Sequence, residues 1–87
     1  MACTEAEWLQ WLPRAVGEHR YALQAGAARV RLEEGELRLQ WQVQPPRVIA
    51  LMRLPRLRVS FVFVQVGEVA RQAFMQRFDL YTQRGGG

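Results

Sequence analysis

Residues 28–44, ARVRLEEGELRLQWQVQ, alternate apolar and polar side chains on both sides of a glycine. A period of two fits half-buried β-strands and excludes an amphipathic helix here, because successive strand side chains point to opposite faces. Taking Glu34-Gly35 as a two-residue hairpin loop pairs Leu32 with Leu37, Val30 with Leu39 and Ala28 with Trp41 on one apolar face. Gln44-Pro45-Pro46 should end the second strand, since proline cannot donate to a ladder. Two more strands are expected at Arg47–Leu54 and Leu57–Val66, joined by a turn at Pro55-Arg56.

The flanks change period. TEAEWLQWL opens with a capping-box pattern, Thr4 as N-cap and Glu7 three residues on. Trp8, Leu9, Trp11, Leu12, Ala15 and Val16 then form a helical stripe over about residues 5–16. Pro13 should kink or split this helix near Leu12, and Gly17 should stop it. Residues 18–26 fit either a short strand or an ordered loop. After Gly67 the chain returns to helical spacing, with Ala70, Ala73, Phe74, Phe78 and Tyr81 on the buried side and a stop at Gly85.

The expected fold is therefore α+β. A four-stranded antiparallel meander is covered on one face by an N-terminal and a C-terminal helix, as a single domain over 1–87 with a flexible tail at 85–87. Trp8, Trp11, Trp41, Phe61, Phe63, Phe74 and Phe78 should supply much of the core. A chain of this size buries only about 60–65% of its unfolded surface, which makes oligomerisation an expectation.

Residues for catalysis are sparse. His19 is the only histidine and Asp79 the only aspartate. Nothing has metal-ligand spacing, and no phosphate-binding glycine pattern occurs. The expectation is a protein that is not an enzyme and takes no cofactor, metal or small-molecule substrate. Cys3, the one cysteine, is read as an incidental thiol at a frayed end. SFVFVQV shows a partial likeness to the aromatic strand of the RNA-recognition motif, but the expected register turns Phe61 and Phe63 towards the helices rather than into an open stacking platform. The apolar run Val59–Val66 is far shorter than the roughly 20 residues of a membrane span. The N-terminus shows no basic-then-apolar secretory pattern, so no membrane partner and a cytoplasmic location are expected.

What remains is charge. All twelve basic residues are arginine, a pattern that a GC-rich genome explains without any function. Their distribution is less even: residues 1–46 carry five arginines against six acids, and residues 47–87 carry seven against two. In the expected register Arg53 opposes Arg58 and Arg31 opposes Arg38, beside an aliphatic strip of Ile49, Leu51, Val62 and Val64 on the face away from the helices. Arginine stems lying over aliphatic side chains with their heads in water would account for such a face. Beyond that, it suits a binding or regulatory module acting by protein–protein contact on the open sheet face, most simply as a homodimer. The alternative is a small basic nucleic-acid-binding protein using the same arginines.

Overall fold

The computed structural model describes residues 1–86, with side chains through Thr82. The element order is α1 (Glu5–Val16), β1 (Tyr21–Gln24), β2 (Ala27–Leu32), β3 (Gly35–Ile49), β4 (Met52–Val64) and α2 (Glu68–Gly86). The strands form one antiparallel sheet in the order β1-β2-β3-β4. Helix residues Trp8, Leu12, Phe74 and Phe78 share one core cluster with Val30, Leu37, Leu39 and Leu57 of the sheet. The α+β class, the meander and the two flanking helices match the sequence expectation. Gly87, the last residue of the expected tail, lies outside the described residues, while α2 continues past the stop expected at Gly85. No helix among the described residues is long and apolar enough to cross a membrane.

α1 forms where its cap dictates. The Thr4 hydroxyl accepts from the Glu7 N–H (3.1 Å) and the Glu7 carboxylate accepts from the Thr4 N–H (3.0 Å), which satisfies two otherwise unpaired donors. Pro13 does not split the helix. Pro13 and Leu9, whose carbonyl loses its i+4 donor, are both exposed, so water can take that acceptor. Trp8 is fully buried at the centre of the core, edge-to-face with Trp41 (5.6 Å) and tilted against Phe78 (5.7 Å). The Trp41 indole N–H donates to Glu5 (2.8 Å), whereas that of Trp8 has no partner among the described residues. Arg77 of α2 donates to the Arg14 carbonyl in the last turn of α1 (3.4 Å), tying the helices together. Cys3 is not at a frayed end: it is buried in the core, and desolvation pushes its thiol pKa above the ordinary value. Of the seven expected core aromatics, Trp8, Trp41, Phe74 and Phe78 are buried, while Trp11, Phe61 and Phe63 are partly buried against them.

Both expected turns are displaced. The β2–β3 loop is Glu33-Glu34, with Glu33 at positive φ, so Leu32 faces Gly35, Val30 faces Leu37 and Arg29 faces Arg38. Gly35 is glycine for a different reason than turning. A Cβ there would collide with the backbone carbonyls of Val64 and Gln65, where the end of β4 crosses β3. We expect Gly35→Ala to cost about 3 kcal/mol, a backbone clash being harder to relax than an overpacked side chain; the shift of the urea midpoint measures it.

The second displacement is larger. Pro45-Pro46 does not end a strand and Pro55-Arg56 is not a turn. β3 and β4 run on together to a turn at Ala50-Leu51, with a bulge that sets Pro45 and Pro46 against Pro55. All three prolines are tolerated because the bulge relieves the ladder on one strand and Pro55 lies on an edge strand. The four strands thus differ in part from those expected: residues 21–24 supply one, and the segment 47–54 is divided across the tip of one long hairpin. This hairpin gives the molecule its length of 47 Å against 24 and 19 Å in the other directions.

Candidate functional site

Among the described residues the outer half of the β3–β4 hairpin is an arm with no third strand beside it, since β2 pairs with β3 only as far as Gln40. From Gln42 to Arg58 it carries Arg47, Arg53, Arg56 and Arg58 and no acid, while the remaining eight arginines are matched by the chain's eight acids. The net charge of +4 therefore resides on the arm. Its tip exposes Val48, Ile49, Leu51 and Met52, with Leu51 fully exposed.

Alternation along the ladder sorts the side chains. Leu37, Leu39 and Trp41 of β3, with Leu57, Val59, Phe61 and Phe63 of β4, face the helices. The open face takes Arg29 and Arg31 of β2, Arg38 and Arg47 of β3, and Arg56 and Arg58 of β4. Gln40, Gln42, Gln44 and Ser60 lie among them. From the level of Arg31 to that of Arg47 this track runs about ten residues, roughly 30 Å. Midway, Gln40, Gln42, Arg58 and Ser60 line an open concavity of about 520 Å³ with the Ala25–Ala27 turn.

Among the described residues the open face of the strands carries one acid, Glu36. It accepts from the Arg38 Nε at 2.8 Å and sits 3.8 Å from the Arg29 Nε. The Arg38 hydrogen bond, more than any other influence, holds the Glu36 carboxyl below the usual carboxylate range, against an opposing push from desolvation. The pair Arg29 and Arg38, directly opposed across the strands, is thereby relieved.

The residues expected to form one surface are divided. Arg53 and Arg58 do not oppose each other: Arg53 pairs with Val48 on the side towards the helices, and Arg58 pairs with Gln42 on the open face. Arg31 faces Glu36 rather than Arg38. Ile49, Leu51, Val62 and Val64 do not make one strip. Ile49 and Leu51 are at the arm tip, while Val62 and Val64 lie opposite Arg38 and Glu36 at the far end, about twelve residues or 40 Å along β4. Arg31, Arg38, Arg58, Val62 and Val64 do share the open face of the strands. Arg56 is hidden in the sequence because Pro55-Arg56 resembles a turn, whereas Arg47 is expected on the open face opposite Val64 and lies on that face opposite Leu54. Their alternation with Gln44 and Arg58 becomes visible once the hairpin is extended through its prolines.

Compared with protein-family models, with curated proteins and with solved structures, the chain matches none. The reading of this surface rests on its own chemistry.

Proposed function

We propose that this protein is a small non-enzymatic nucleic-acid-binding module whose open sheet face and arm grip a phosphate backbone. The observation that carries this reading is the 30 Å track of six arginines, interrupted by amide and hydroxyl donors and opposed by Glu36 alone among the described strand residues. Guanidinium groups offer planar, bidentate recognition of phosphate, and glutamine and serine add neutral hydrogen bonds to the same oxygens. Its aromatic strand residues turn towards the helices or sit at the β1 edge, so the face offers no stacking platform for unpaired bases. A duplex, held by backbone and shape, suits it better than a single strand. The exposed aliphatics of the tip extend the same contact beyond the last phosphate. A cytoplasmic setting belongs to the same proposal.

The test is titration of the protein into mixed-sequence duplex DNA by fluorescence anisotropy across a salt series. With four to five free positive charges on the track, log K should fall against log[salt] with a slope of about −4, and with little sequence preference. A duplex that shows no change in anisotropy at low salt would end this reading.

Glu36 sets a pH dependence with a defined sign. Its folded-state pKa is depressed, so its contribution to stability is complete above the ordinary carboxylate range. That contribution disappears as pH falls through the depressed folded value. Over the same acid window Arg29 and Arg38 lose their counter-charge, and affinity for a polyanion should rise. Glu36→Gln should reproduce the effect at neutral pH, with a salt slope steeper by about one and a slightly lower melting temperature.

A further inference from the structure

We infer that the outer edge of β4 is a homodimer interface, where the β4 strands of two copies pair antiparallel and continue the sheet to eight strands. This rests on the strand edge and stands apart from the nucleic-acid reading.

β4 ends the strand order, so among the described residues one side of its backbone has no strand beside it. Two hydrogen bonds fix which residues present that side. The Met1 nitrogen donates to the Leu57 carbonyl (2.6 Å) and the Leu57 N–H donates to the Met1 carbonyl (2.7 Å), so Leu57 points its backbone outward. The Trp41 N–H donates away from β4, to the Gly26 carbonyl (3.0 Å), which makes Trp41 and Val59 a pair without mutual hydrogen bonds. The alternation of an antiparallel ladder then turns the N–H and C=O groups of Val59, Phe61 and Phe63 outward as well.

Exposed edges are normally guarded by charge, proline, a bulge or a covering segment. The arm half of β4 has such guards in Arg53, Pro55, Arg56 and the Met1 bridge. Val59–Val64 has no charge, no proline and no register break. The helices also stop short of it: Leu37, Leu39 and Trp41 are buried, while their β4 partners Phe63, Phe61 and Val59 are only partly so. Val62 is exposed on the other face.

A second copy fits this edge for three reasons. A strand pairing with itself across a twofold axis at Phe61 sets Val59 opposite Phe63 of the second copy, and each outward donor meets an outward acceptor. The neutral segment brings no like charges together, whereas pairing arm with arm would oppose four unneutralised arginines on each side. The antiparallel geometry also sends the two arms in opposite directions, which keeps them apart. Strand addition of this kind draws its affinity from main-chain hydrogen bonds and its specificity from the flanking side chains.

The test uses the full chain without nucleic acid. Light scattering across a dilution series should give twice the 10.1 kDa chain mass at high concentration. Amide exchange should show the Val59, Phe61 and Phe63 N–H groups protected in the dimer and fast on dilution. Val62→Lys, at an exposed position outside the core, should keep the circular dichroism spectrum and raise the dimer dissociation constant at least about ten-fold through like charges near the axis. A monomer at about 0.5 mM, a dimer whose Phe61 and Phe63 amides exchange freely, open-ended aggregates in place of a dimer, or an unchanged dissociation constant for Val62→Lys across the dilution series would each overturn the inference.

Discussion

Replacing Arg56 and Arg58 together by glutamine should lower affinity for duplex DNA by about two orders of magnitude at moderate salt. On the proposed binding mode each change would remove a charged hydrogen bond to phosphate worth about 1.5 kcal/mol, and the two would add if the side chains reach separate phosphates. The salt slope should become shallower by about two, the signature of lost phosphate contacts rather than lost fold. Both side chains are exposed on the open face of the arm, so the melting temperature should change little. Arg53→Gln is the control within the same segment. It lies on the side towards the helices, opposite Val48, and should affect binding much less. Anisotropy titrations of the three proteins against one duplex distinguish a directed track from a general excess of positive charge.

Trp8→Ala should be the most damaging single substitution to stability, at about 3–5 kcal/mol. A chain of this length has on the order of 5–10 kcal/mol to lose. The indole is fully buried, stacks edge-on against Trp41 and packs on Phe78, so its removal opens a cavity where α1, α2 and the sheet meet. Trp8→Phe should cost far less, since the ring contacts are largely kept and a buried N–H without a partner is removed. Urea denaturation followed by far-UV circular dichroism ranks the two, and equal losses would show that the ring contacts kept by phenylalanine contribute nothing.

The position of the open face was legible in the sequence where errors of register were even. Shifting the β2–β3 pairing by two residues exchanges every partner but moves no side chain to the other face, so Arg29, Arg31 and Arg38 stayed on the correct side. At the second hairpin the signals themselves misled. Pro55-Arg56 resembles a turn, and Ala50-Leu51 does not, because Ala50 adopts a positive φ of 53° that alanine rarely takes. The turn forms there because β3 and β4 continue pairing past the bulge, and the tip is what remains. Arg53 is thereby expected on the wrong face and Arg56 in a turn, while Arg47 keeps its face and changes only its partner, from Val64 to Leu54.

Local chemistry alone determined the capping box at Thr4 and Glu7, the helical spacing of both flanks with Trp8, Leu12, Phe74 and Phe78 buried though Leu9, Ala73 and Tyr81 are exposed, the period of two through residues 28–44 and the absence of acids in the segment that became the arm. Each depends on spacing within a few residues, and side-chain direction follows directly from spacing. The tertiary structure decided which strand lies beside which residue: the crossing of β4 over Gly35, the bulge that absorbs three prolines, the burial of Cys3 and the bare edge at Val59–Val64. Those features arise from contacts between segments distant in sequence, whose pairing is fixed by the packing of the whole sheet against its helices.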